Sequence, residues 1–123
     1  MSKPFSGRVL LLEDNLIIAM DTEILLQELG ASEVVLTSSV AEAMEALSGP
    51  PFDFVLMDVN LGDETSSKVA EAVIEAGTPF AFVTGYGETQ ELVSKFENPV
   101  ILEKPYEGSA LQRAMTEALG RKA

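Results

Sequence analysis

Short apolar runs that stop abruptly at charge constrain this chain most. Val9-Leu10-Leu11-Leu12 ends in Glu13-Asp14, Phe54-Val55-Leu56-Met57 ends in Asp58, and Val100-Ile101-Leu102 runs into Glu103-Lys104-Pro105. A strand buried on both faces needs an apolar residue at every position, not at alternate ones. Val34-Val35-Leu36 and Phe80-Ala81-Phe82-Val83 complete a set of five. The predicted strands cover 9–12, 33–37, 53–57, 79–84 and 100–102.

Helix signals fill the gaps between them. Asp14-Asn15 offers capping side chains for a helix reaching Leu29, with Gly30 to close it. Ser39-Val40-Ala41-Glu42 fits a capping box, with Ser39 capping and Glu42 reaching back, and Ser48-Gly49-Pro50-Pro51 ends that helix. Further helices are predicted over 66–76, 88–96 and 107–119, the second of them weak in apolar anchors. Asn60-Leu61-Gly62-Asp63-Glu64 reads as a polar loop, and Gly85-Tyr86-Gly87 as a flexible point. Strands alternating with helices imply an α/β fold, a doubly wound parallel sheet in one domain over 1–123. Ligands of such sheets bind beyond the carboxyl ends of the strands. Glu13, Asp14 and Asp58 stand there. Acids so placed repel one another unless a cation sits among them, which points to a site for a hard metal ion and an anion.

Composition removes several classes. A net charge of −12 leaves little with which to neutralise phosphates, so nucleic acid is not an expected partner. With no cysteine and no histidine there is no disulfide, no thiolate or imidazole metal site and no imidazole base. No signal-peptide layout and no membrane-length apolar run is present in the sequence, so the expected location is the cytoplasm.

The ordered set of Glu13-Asp14, Asp58, Thr84-Gly85 and Lys104-Pro105 resembles the receiver domain of two-component response regulators, from end to end. The resemblance implies a flavodoxin-like receiver fold of five parallel strands in the order 2-1-3-4-5. That order reverses between the strands carrying Glu13-Asp14 and Asp58. It implies Asp58 as phosphoacceptor and magnesium ligand. Asp14 is then a direct ligand, Glu13 a ligand through water, and the Asn60 backbone carbonyl completes the set. Lys104 binds a phosphoryl oxygen, Thr84 is the hydroxyl switch, and the Lys104–Pro105 bond is cis. Magnesium fits such a set, since it takes a few carboxylates plus waters and phosphate oxygens. Taken singly, each residue has an ordinary explanation: a helix cap for Asp14, turns for Asp58 and Thr84, a surface charge for Lys104. Nothing structural requires all four at one sheet edge.

Two departures stand out. Most family members carry an aromatic three positions before the lysine, where this chain has Ile101. The stretch around Phe82-Val83-Thr84-Gly85-Tyr86 is similar to an atypical subgroup with a Phe-Ala-Thr-Gly-Tyr-like motif, whose members lack that aromatic. Tyr86 is therefore a candidate to take over the switch readout from Ile101. Asn60 and Tyr86 also stand where the family tunes dephosphorylation, and a bulky Tyr86 would shield the acyl phosphate.

The expected function is a stand-alone receiver taking phosphoryl from a sensor histidine kinase or a phosphotransfer protein. It would signal, or act as a phosphate sink, by protein contact, and it is not an enzyme in the ordinary sense. Surplus apolar residues of the first helix, with Ile18, Leu25 and Leu26 as candidates, resemble the surface that receives a kinase helix pair. Core packing is the competing role for each. Two other functions stay in view. One is a non-phosphorylated interaction module of the same fold. The other is an aspartyl-phosphate phosphatase, whose Asp-x-Asp-x-Thr motif is not matched by Asp58-Val59-Asn60-Leu61.

Overall fold

The computed structural model describes residues 5–61, 64–85 and 96–120. The chain runs β1 (Gly7–Leu12), α1 (Leu16–Glu28), β2 (Ala31–Thr37), α2 (Val40–Leu47), β3 (Phe54–Asp58), α3 (Ser67–Ala76), β4 (Phe80–Thr84), β5 (Ile101–Glu103) and α4 (Gly108–Gly120). All strand pairs are parallel and the order is β2-β1-β3-β4-β5. This is the flavodoxin-like receiver fold expected from the sequence. Among the described residues no helix is long and apolar enough to cross a membrane.

The continuous apolar runs serve two cores at once. Val9 and Leu11 of β1, Phe54 and Leu56 of β3, and Ala81 and Val83 of β4 join one cluster with Ala19 and Leu26 of α1 and Leu111 and Met115 of α4. Their neighbours Leu10, Leu12, Val55, Met57 and Phe82 join a second cluster with Ala43 of α2 and Val69 and Val73 of α3. Successive side chains of a strand point to opposite faces, so both faces must be apolar. Each fully buried leucine of β1 contributes about 2 kcal/mol.

Strand boundaries shift by one or two residues from expectation: β1 begins at Gly7 rather than at 9, and β4 at Phe80 rather than at 79. β2 begins at Ala31, which pairs with Gly7, rather than at 33. β3 starts at Phe54 and takes in Asp58, which is in register with Val83 of β4; just before it the Asp53 carboxylate accepts from the Arg8 N–H at 2.8 Å. β5 is Ile101–Glu103, in register with Phe82, Val83 and Thr84, one residue later than predicted. Ser39 does cap α2, accepting from the Glu42 N–H at 3.1 Å. Glu42, however, reaches back to the N–H of Ser38 at 2.7 Å, not to Ser39. α3 closes on Gly77, at φ 75°. In the predicted polar loop, Leu61 is buried in the second core. The helix predicted over 88–96 lies outside the described residues except for Phe96, whose ring packs 5.3 Å from that of Phe82.

At the amino ends of the strands, Arg8 acts as a clasp. Its Nε donates to Glu33 at 2.7 Å and its Nη1 to the carbonyls of Pro50 and Pro51, both at 2.9 Å. Its guanidinium also lies 4.4 Å from the Phe52 ring centroid.

Candidate functional site

At the carboxyl ends of the strands the chain changes from hydrocarbon to charge within a residue or two. β1 leads straight into Glu13, whose N–H donates to Thr37 O at 3.0 Å. β3 ends on Asp58, and both acids are 4% exposed. Asp14 is exposed. The ordinary role considered for it, capping α1, belongs to its neighbour: Asn15 Oδ1 accepts from the Ile18 N–H at 3.2 Å. Asp14 thereby joins Glu13 and Asp58 in a cluster whose carboxylate oxygens lie within 4.8 Å of one another. Two carboxylates at that separation repel by about 3.5 kcal/mol at the effective dielectric of about 20 that suits protein sites.

Lys104 supplies one counter-charge. Its Nζ lies 2.9 Å from Asp58 Oδ2 and 3.2 Å from Glu13 Oε1, and its N–H donates to Thr84 O at 2.9 Å. One ammonium against three carboxylates leaves the group negative. Burial pushes the Asp58 carboxyl up to about 7, with Glu13 adding to the rise and Lys104 opposing it. Burial alone would lower the Lys104 ammonium, but the hydrogen bond and charge of Asp58, followed by the charge of Glu13, outweigh it and raise the group.

Around this cluster stand the other residues expected from the sequence. Thr84 ends β4, one strand over from Asp58, wholly buried, and its Oγ1 has no hydrogen-bond partner among the described residues. Asn60 follows Asp58 by two residues and is exposed. The chain before it is pinned by Val59, whose N–H donates to Val83 O at 3.0 Å and whose carbonyl accepts from the Ser66 N–H at 3.1 Å. The Lys104–Pro105 bond is cis. Ile101 pairs with Phe82 and packs, half-buried, against the second core. Tyr86 lies outside the described residues.

An oxygen-only, acid-rich donor set with a raised carboxyl fits a small hard dication. Glu13, Asp14 and Asp58 are the side chains that would hold it.

Two features near the cluster carry no signal in the sequence. Ser66, before α3, is buried and its Oγ, like that of Thr84, lacks a hydrogen-bond partner among the described residues. Tyr106, two residues after Lys104, has its hydroxyl 2.5 Å from Thr22 Oγ1 of α1. The first-helix candidates also need correction. Leu26 is fully buried in the first core, while Ile18 and Leu25 are half-buried. The exposed apolar face of α1 is instead Leu16, Ile17, Met20 and Ile24, at 66%, 74%, 52% and 54% exposure.

No curated protein matches the chain. Among solved structures it is similar to SdrG from Sphingomonas melonis Fr1, with 34% identity, 97% of this chain and 98% of that chain covered, and a TM-score of 0.80. It is also similar to a response regulator receiver protein from Sinorhizobium medicae WSM419, with 27% identity, 96% and 98% covered, and a TM-score of 0.84. A third likeness is to the PhyR response regulator REC domain of Erythrobacter litoralis, with 25% identity, 95% and 92% covered, and a TM-score of 0.79. The match that decides membership runs through the sequence itself: the family model of the response regulator receiver domain covers residues 9–116, from the first buried strand into the last helix, and the chain belongs to that family.

Proposed function

We propose that the chain is a receiver that accepts a phosphoryl group on Asp58 from a sensor histidine kinase or a phosphotransfer protein, with magnesium required, and that it acts through protein contact. The observation that carries this reading is the setting of Asp58. It is buried at the end of β3, 2.9 Å from Lys104 Nζ, and within 4.8 Å of acids on the next strand. A buried turn aspartate with no chemistry to perform would not gather two more carboxylates around it.

In the step itself an Asp58 carboxylate oxygen attacks phosphorus as the bond to the donor nitrogen breaks. The electron pair stays on the partner's imidazole, and an acyl phosphate forms on Asp58. Lys104 exchanges its contact with the free carboxylate for a phosphoryl oxygen, acting as a compact point charge. The Thr84 hydroxyl, buried and without an acceptor among the described residues, donates to another phosphoryl oxygen and so reports the modification to β4. Glu13, Asp14 and Asp58 are the side chains that would hold magnesium, and its positive charge would offset repulsion between the incoming dianion and the acceptor. The partner's helices are received on the exposed face Leu16, Ile17, Met20 and Ile24 of α1.

The test adds acetyl phosphate or beryllofluoride, with and without magnesium, to wild type and Asp58→Ala, followed by amide NMR and intact mass. Magnesium-dependent shifts at Thr84 and Lys104 that vanish in the variant are the expected result. A wild-type chain that ignores magnesium and gains no phosphate mass refutes the reading.

A further inference from the structure

Thr22 is out of place by packing logic. It sits on the inner side of α1 among Ala19 and Leu26, 2% exposed, where an apolar residue would leave no hydroxyl to satisfy. Its partner is the Tyr106 hydroxyl, 84 positions away in sequence and 2.5 Å away in space. The Tyr106 ring packs against the first core. Burial pushes its hydroxyl up, the bond to Thr22 pulls it down, and the charges of Glu13 and Asp58 raise it while that of Lys104 lowers it. The phenol thus stays neutral and lies within the field of the acidic site.

Lys104 begins the same connection. Its main chain is fastened to Thr84 O, and its ammonium spans Asp58 and Glu13 at the end of a long flexible stem. Pro105, with φ limited by its ring, is the sole residue between Lys104 and Tyr106. One end of the strap is therefore tied to β4 and the other to α1.

We propose that Tyr106 is a positioning residue for phosphoryl transfer: hydrogen-bonded to Thr22, it anchors the Lys104-Pro105-Tyr106 strap to α1 and so holds the Lys104 ammonium beside Asp58. The proposal rests on the reading of Asp58 as acceptor. It also joins that acceptor's lysine to the helix whose outer face is exposed and apolar.

The experiment uses the full chain, saturating magnesium and acetyl phosphate, with the limiting phosphorylation rate read by intact mass and folding checked by thermal melting. Tyr106→Phe and Thr22→Val each lower the limiting rate about 3- to 10-fold, the range that one hydrogen bond's net worth corresponds to. The double variant is no slower than either single one, because both remove the same bond. Thr22→Ser keeps the wild-type rate. In a Lys104→Ala background Tyr106→Phe has no further effect. A folded Tyr106→Phe with the wild-type rate, or a double variant in which the losses multiply, overturns the proposal while leaving Asp58 as acceptor. Wild type that gains no phosphate overturns both. Should Tyr106→Phe fail to fold, Thr22→Val against Thr22→Ser decides alone.

Discussion

Removing the acceptor's charge should make the metal-free protein more stable, and the gain should depend on pH. Asp58 is held at about 7 in the folded chain against an ordinary value of 3.8. Burial is the first cause and the Glu13 carboxylate adds to it. For an acid raised on folding, the associated stability is full below the unfolded value and is lost as pH rises through the folded one. That interval, at 1.36 kcal/mol for each tenfold step, corresponds to about 4 kcal/mol once Asp58 is fully ionised, and relaxation of the cluster with entry of water reduces it to about 2 kcal/mol. Asp58→Asn keeps the shape, removes the charge and leaves Lys104 to Glu13. With a chelator present at about pH 8.5 we expect the variant to be more stable by about 2 kcal/mol, a urea midpoint higher by about 1–2 M. At about pH 5 the gap falls to under half, since folded Asp58 is then protonated in wild type. Magnesium at pH 8.5 should stabilise wild type and leave the variant nearly unchanged. An Asp58→Asn chain no more stable than wild type at pH 8.5, or a gap that does not move with pH, would show that the cluster is not strained by its own charge.

The remaining expectations concern the helix faces and the switch. Leu26→Ala should cost about 2–5 kcal/mol in urea unfolding, because Leu26 is fully buried. Ile17→Asp, at an exposed position, should change stability by under about 0.5 kcal/mol, yet slow transfer from a partner kinase while leaving the acetyl phosphate rate intact. Equal loss with both donors would remove the docking role of the α1 face. Thr84→Val should hold or gain about 1 kcal/mol by deleting a buried hydroxyl without a partner among the described residues, while abolishing phosphorylation-dependent amide shifts in β5; shifts that persist would rule out Thr84 as the reporter. Tyr86→Gly should shorten the acyl phosphate lifetime, followed by decay of the phosphorylated mass; an unchanged or longer lifetime counts against shielding.

Much of this architecture was legible because the strands carry their own signature. Val9 to Leu12 and Phe54 to Met57 are apolar at every position, which only a sheet covered on both faces tolerates, and the acids fall where those runs stop. The site residues were legible for the same reason, as each stands at or just beyond a strand end. Finer assignments stayed open where two neighbours fit one role. Asp14 and Asn15 both make good caps, and only the distance from Asn15 to the Ile18 N–H frees Asp14 for the cluster. The α1 face was misread because apolar residues surround that helix, leaving no phase from which to tell Leu26 in the core from Ile17 in solvent. The bond between Thr22 and Tyr106 was not readable at all, since nothing local announces a partner so distant in the chain.

The Arg8 clasp has its own consequence. It draws together the opening ends of β1 and β2 and the turn before β3 with an ion pair, two carbonyl contacts and a ring. Cohesion is thus concentrated at one pole of the sheet and electrostatic tension at the other. A chain with net charge −12 can keep its reactive rim poised for an incoming dianion because its opposite rim is riveted shut. Evolution can retune the chemistry at the tense pole without loosening the pole that holds the strands in line.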